Sequence, residues 1–228
     1  MRSLLILYGS ETGTAEDVAE GLWREARLLD IPARFYGVDD YDVENLPSED
    51  AVVFVVATTG QGEIPPNMRN GWRHLLRRNL NSAWLQNVRF AVLGLGDSSY
   101  QKYNFAAKKV FRRLLQLGGD CLLDIGLADD QHEIGIDGAL SPWRRELWDK
   151  LRETGLFEML RWPVFAGRAG LSISSTRFVP SPLSSKMFSS FVSDVDEVLD
   201  PYPAELSAGP SVQRTRHPIS LAVSFGDV

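Results

Sequence analysis

The chain reads Ser10-Glu11-Thr12-Gly13-Thr14-Ala15 just after the apolar run Leu4-Leu5-Ile6-Leu7-Tyr8. A helical pattern begins near Glu16. Three hydroxyls and a glycine thus stand at a strand-to-helix turn, where backbone N–H groups lack intrahelical partners. Those amides and the positive end of the helix dipole favour an anion. The loop contains no lysine, which excludes the GxxxxGK[ST] cradle of nucleoside triphosphates. Hydroxyls and amides without a cation suit one phosphate monoester, and FMN is a common ligand of that kind. The same residues also write an ordinary capped helix start. Taken alone, the loop fits both equally.

Two further loops carry residues of the same kind. Ala57-Thr58-Thr59-Gly60-Gln61-Gly62-Glu63 follows an apolar run. Its glycines allow a tight backbone turn against a flat ligand. Gly94-Leu95-Gly96-Asp97-Ser98-Ser99-Tyr100 continues through Gln101, Lys102 and Tyr103 to Asn104. It offers N–H groups, hydroxyls and an aromatic face. It also resembles the dinucleotide fingerprint GxGxxG, but Ser99 replaces the third glycine and the loop follows the wrong strand.

These loops need a scaffold that brings them together. Residues 3–8 read as a buried strand and 16–29 as a helix with Val18, Ala19, Leu22, Ala26 and Leu29 on one face. A second strand is expected at 33–38. Residues 51–57 form a continuous apolar, β-branched run, the pattern of a parallel strand covered on both faces. A helix is expected over 67–80, started by Pro65-Pro66. A strand follows at 89–93, and then a helix over 105–117 ended by Gly118-Gly119. A fifth strand is expected at 121–125, and a last amphipathic helix over 142–153. This alternation predicts an α/β doubly wound parallel sheet of five strands. In a 2-1-3-4-5 order the three loops meet at the carboxyl ends of the strands, at the switch between the first and third.

With that placement the pattern resembles the flavodoxin-like FMN domain of the diflavin reductases, which include cytochrome P450 reductase. The resemblance rests on residues 9–15, 57–62, 93–100 and Asp129-Asp130-Gln131-His132-Glu133, and covers roughly residues 1–154. It is nearest the NADPH-dependent diflavin oxidoreductase branch of cytosolic iron–sulfur cluster assembly. The resemblance implies that Ser10 to Ala15 hold the FMN phosphate and that Ala57, Thr58, Thr59 and Gly60 run beside the ring. Leu95, Gly96, Asp97, Ser98, Ser99, Tyr100, Gln101, Lys102, Tyr103 and Asn104 would line the ring and ribityl chain, with Tyr100 stacked. Asp130 would lie near the ribityl or ring edge. Thr59 stands where P450 reductases place a second stacking tyrosine. The resemblance further implies electron transfer from NADPH through FAD and FMN to an iron–sulfur acceptor, anamorsin-like. FAD and NADPH belong to reductase modules of the full-length family, in cis or in trans. A non-catalytic interaction module and a stand-alone carrier are the alternatives.

Each residue also has a plainer reading. Tyr100 packs in a loop or stacks on a ring. Asp97 is a turn residue or a carboxylate that disfavours added negative charge on a flavin. Asp129, Asp130 and Glu133 form a solvated rim or a docking surface for a basic partner. His132 reads as a surface histidine, and His74 shares a solvated face with Arg73, Arg77 and Arg78.

The chain has 228 residues, a net charge of −6 and one cysteine. The acidic balance argues against nucleic-acid binding. A single cysteine excludes an internal disulfide, and Cys121 reads as a small core residue. No apolar run approaches the ~20 residues of a membrane span, and no signal peptide precedes Ser3. A soluble cytoplasmic protein is the expectation. Residues 155–228 hold most of the prolines and many serines. They read as a largely disordered tail without an FAD or NADPH module.

Overall fold

The computed structural model describes residues 2–158. The tail expected to be disordered lies almost wholly outside the described residues. Strands β1 (Leu4–Gly9), β2 (Ala33–Gly37), β3 (Ala51–Ala57) and β4 (Arg89–Gly96) form a parallel sheet with β5 (Asp120–Cys121) and β6 (Gly126–Asp129). The order is β2-β1-β3-β4-β5, with β6 also paired to β4, so the predicted 2-1-3-4-5 order is observed. Helices α1 (Thr14–Leu28) and α4 (Asp137–Glu153) pack on one face, α2 (Arg69–Leu75) and α3 (Phe105–Gln116) on the other. Alternate residues of β1 and β3 serve opposite cores. Leu4, Ile6, Val53 and Val55 face α1 and α4, whereas Leu5, Leu7, Val52 and Phe54 face α2 and α3. That two-sided burial is why β3 carries no polar residue.

Four expectations need correction. The fifth strand is not one piece at 121–125. It breaks after Cys121 and resumes as β6, which runs on to Asp129. The Trp143 indole donates to Asp124 O at 3.2 Å within the break, and its ring lies against Gly126, where a side chain would collide. The helix expected over 67–80 is shorter, a 3₁₀ turn at Pro66–Met68 followed by α2. Arg113 from α3 donates to Leu75 O at 2.6 Å and to Arg77 O at 3.4 Å, taking up carbonyls where the helix would have continued. The last helix starts at Asp137 rather than Pro142, which sits inside it. Finally, β4 extends past Leu93 to Gly96, so the third loop begins further along.

Other boundaries follow the pattern closely. Gly118, at φ +85°, ends α3, with Gly118 N bonded to Leu115 O and Gly119 N to Leu114 O. Among the described residues no helix is long and apolar enough to cross a membrane.

Candidate functional site

The carboxyl ends of β1, β3, β4 and β6 open onto a cleft of about 470 Å³. This lies within the ~300–1,000 Å³ typical of small-molecule sites. Glu11, Thr12 and Thr14 line it from the first loop, and Ala57, Thr58, Thr59 and Gly60 from the second. Leu95, Gly96, Asp97, Tyr100, Lys102, Tyr103 and Asn104 come from the third, and Asp130 from the turn after β6. Gln61 and Ile136 also line it and were not expected. Ser10, Gly13, Ala15, Ser98, Ser99 and Gln101 do not line it.

The first loop is built around its own backbone. Ser10 is buried, and its Oγ accepts from Gly13 N at 3.0 Å. Gly13 takes φ +100°, a left-handed conformation suited to glycine. Asp17 N donates to Gly13 O at 2.9 Å. Among the described residues no acceptor engages the amides of Thr14, Ala15 and Glu16. No side chain caps α1. Ser10 therefore shapes the loop instead of capping the helix, and the first-turn amides stay available. The Thr12 and Thr14 hydroxyls stand 3.5 Å apart beside them. Ala15 is fully buried in the core. Tyr8 donates to Glu16 Oε1 at 2.9 Å, and burial with this carboxylate pushes its hydroxyl up to about 12.

One residue that fixes this loop was missed. Asn67 Oδ1 accepts from Ser10 N at 2.8 Å. Its only sequence signal was proximity to Pro65-Pro66.

The second loop closes into a five-residue turn. Thr59 and Glu63 pair as an isolated bridge, with Thr59 N to Glu63 O at 3.2 Å and Glu63 N to Thr59 O at 2.8 Å. The Thr59 hydroxyl donates to Glu63 O at 3.3 Å. Gly60 and Gly62 take φ +47° and +88°. Thr58 reaches across to α3, its Oγ1 accepting from Ala106 N at 3.3 Å. Lys102 packs over Gly62, and Lys109 Nζ donates to Gly62 O at 3.5 Å. Burial, then the charge of Lys102, lowers the Lys109 ammonium below its ordinary value.

The third loop is tied to the turn after β6. Asp97 Oδ1 accepts from Ser99 N at 2.8 Å and its Oδ2 from Gln131 Nε2 at 3.1 Å. Asp129 Oδ1 accepts from Ser98 N at 2.9 Å and from Gln131 N at 3.1 Å. Hydrogen bonds from Ser99 hold Asp97 below the usual carboxylate range, and those from Ser98 do the same for Asp129. The Ser98 and Ser99 amides, expected to be free, are thus occupied. Tyr103 donates to Leu127 O at 2.9 Å. Asn104 is fully buried at φ +54°, and its Nδ2 donates to Ala128 O at 2.9 Å. Its Oδ1 has no hydrogen-bond partner among the described residues and lies against Gly94 and Gly96, whose missing side chains make room for it. Tyr100 is 59% exposed at the cleft edge. His132 Nδ1 accepts from Ile134 N at 3.3 Å, and its ring packs on Gly138. It is a structural side chain at the start of α4.

These donors suit a flat ligand carrying one phosphate. Open amides and hydroxyls sit at one end of the cleft, and glycine turns with an exposed aromatic ring flank the rest. Among the described residues no group of three or more His, Cys, Asp or Glu could hold a metal ion.

The flavodoxin family model matches residues 6–143. NADPH-dependent diflavin oxidoreductase 1 of Bos taurus is 57% identical over 148 residues, which cover 65% of this chain and 25% of that protein. The Arabidopsis thaliana protein of the same name is 53% identical over 151 residues, 66% of this chain and 24% of its own. This chain therefore spans about a quarter of the length of these relatives. Among solved structures, a flavodoxin variant from Pseudomonas aeruginosa superposes with a TM-score of 0.57 at 25% identity, covering 66% of this chain and 99% of its own. Flavodoxin 1 from Bacillus cereus gives 0.54 at 19% identity, over 64% and 97%. The strand order, the cleft at the switch point and the family match agree: the chain belongs to the flavodoxin family, and its flavodoxin region is related to that of NADPH-dependent diflavin oxidoreductase 1.

Proposed function

We propose that this chain is an FMN-binding electron-transfer domain of the diflavin oxidoreductase kind. The observation that carries the reading is the row of unpartnered amides at Thr14, Ala15 and Glu16, which begins at Thr14 on the lining of the cleft. In this reading those amides, with the Thr12 and Thr14 hydroxyls, hold the phosphate. No cation is needed there, because the helix N-terminus already favours negative charge. The 57–60 and 95–104 loops flank the ring and ribityl chain, Tyr100 lies on the ring, and Asp130 sits at the ribityl or ring edge. When bound, FMN supplies the redox chemistry, taking up electrons and passing them on singly.

The chain's own residues bind, orient and set the local charge. Asp97 and Asp129 keep their negative charge well below neutral pH because hydrogen bonds favour it. Electrons originate from NADPH and arrive through an FAD-containing reductase module in cis or in trans. They leave to an anamorsin-like iron–sulfur protein of cytosolic cluster assembly, which places the domain in the cytoplasm. No side chain is required as an acid or base.

One feature favours a second reading, a non-catalytic interaction module with weak flavin affinity. Thr59 stands where an aromatic side chain would cover one ring face, and its hydroxyl is turned to Glu63 O. A visible spectrum of the purified chain separates the two. The electron-transfer reading expects a yellow protein, or a colourless one that takes up one added FMN per chain. A chain that remains colourless in excess FMN overturns it.

A further inference from the structure

Asn67 lies outside the cleft lining, yet it touches the first loop at the point where that loop leaves β1. Its Oδ1 accepts from Ser10 N at 2.8 Å, across 57 residues of sequence. Ser10 Oγ in turn accepts from Gly13 N at 3.0 Å, and Gly13 O accepts from Asp17 N at 2.9 Å. One continuous run of hydrogen bonds therefore leads from Asn67 to the first turn of α1. Those bonds use the amides of Ser10, Gly13 and Asp17, and leave those of Thr14, Ala15 and Glu16 open.

Asn67 is itself held from several directions. It sits in the 3₁₀ turn Pro66–Met68, entered through Pro65. Pro65 and Pro66 limit the backbone freedom of that entry. Met68 is fully buried and packs against Gly9, where a methyl group would collide with its sulfur. The glycine lets the turn come close enough to the end of β1 for Asn67 to reach Ser10. On the other side, Asp39 accepts from Gly71 N at 2.8 Å and Asn70 N at 3.2 Å, fixing the start of α2.

We infer that Asn67 is a positioning residue for phosphate recognition, fixing the Ser10–Gly13 turn so that the first-turn amides of α1 converge on a phosphate monoester. This rests on the FMN reading above. A loop already in its binding conformation loses less entropy when the ligand arrives. Without the Asn67 acceptor, Ser10 N loses its partner and the turn gains alternatives that splay the amides. The ring-flanking loops at 57–63 and 97–104 are not joined to Asn67 by any hydrogen bond among the described residues. Phosphate recognition should therefore weaken while ring recognition persists.

FMN and riboflavin differ only in the phosphate, so their affinities read the two ends of the cleft separately. Flavin-fluorescence titration of the apo chain is the measurement, with circular dichroism to check folding. For N67A the expected result is a loss of FMN affinity of roughly tenfold, the effect of about one hydrogen bond, with riboflavin affinity unchanged. N67Q retains an uncharged amide acceptor on a longer stem, and its FMN affinity should fall between those of wild type and N67A. If N67A does not fold, N67Q against wild type gives the same selectivity, with FMN weakened and riboflavin unmoved. The inference is overturned if N67A binds FMN as wild type does, or if FMN and riboflavin weaken in step. Failure of the wild-type chain to bind FMN at all overturns the underlying reading instead.

Discussion

The loops after β1 and after β4 solve opposite problems with similar residues. Both contain glycine, serine or threonine, and acidic side chains. After β1, Ser10 consumes one amide, Asn67 another, and the helix start is left open. After β4, Asp97 and Asp129 consume the Ser98 and Ser99 amides and tie the loop to Gln131. The first loop offers backbone donors to an anion. The third loop spends its donors on its own shape and offers side chains, chiefly Tyr100, Lys102 and Asp97. A carboxylate set against the open amides would thus compete with the anion, whereas carboxylates around the loop after β4 are structural.

The largest effect should come from adding a carboxylate to the first loop. In Thr14→Asp the new charge joins the open amides and competes with the phosphate. Unit charges about 4 Å apart repel by ~4 kcal/mol at an effective dielectric of 20. FMN affinity should fall on the order of 100-fold or more, while riboflavin affinity holds. The apo chain should unfold at the same or a slightly higher temperature, because an acidic residue at a helix N-terminus contributes ~0.3–1 kcal/mol. Parallel titrations and a thermal melt measure all three. Equal losses for both flavins would break the distinction between the loops.

A smaller effect should follow from removing a carboxylate that holds the third loop in place. Asp129→Ala releases the Ser98 and Gln131 amides together. The loop loses a link to β6, and both flavins should weaken by a similar factor, roughly several-fold. Discrimination between FMN and riboflavin should not change. Titrating the same two ligands measures this.

The same links set a pH dependence. Asp97 and Asp129 are lowered in the folded chain. Their contribution is therefore complete above the ordinary carboxylate pKa, ~4, and is lost as pH falls through the lower folded values. Riboflavin is the right probe, because a phosphate monoester titrates near pH ~6 and would confuse the result. Riboflavin affinity should stay level from pH 7 to about 4 and decline below it. The double variant D97N/D129N keeps acceptors that do not titrate, and its profile should remain flatter.

How far these features could be read in advance follows from how local their causes are. β3 was plain because burial on both faces demands an unbroken apolar run, and residues 51–57 supply it. The end of α3 was plain because Gly118 must take a positive φ. Two of the errors involve distant partners. α2 stops where Arg113, 38 residues away, reaches Leu75 O. The fifth strand breaks where Trp143 of α4 packs on Gly126. Asn67 became visible only once β1 and the α2 crossover were brought together. The loop residues that line the cleft were readable because strand order alone collects them. Which of their amides were already used was less plain, because Asp129, the acceptor for Ser98 N, lies on another strand.

Tyr100 should give the smallest effect, and it tests what the third loop contributes beyond shape. The ring is 59% exposed, and its backbone amide, which donates to Asp97 O at 3.2 Å, survives any substitution except proline. Tyr100→Ala should therefore leave stability within about 0.5 kcal/mol, as surface changes do. An offset-stacked aromatic pair contributes ~0.5–1.5 kcal/mol beyond burial. FMN and riboflavin should each weaken by the corresponding factor, between about twofold and tenfold, because the lost contact is with the ring they share. Tyr100→Phe keeps the ring and should bind both as wild type does. If Tyr100→Ala instead weakened FMN alone, the aromatic edge would be acting on the phosphate end. The two loops would then be coupled across the cleft and would no longer read separate parts of one ligand.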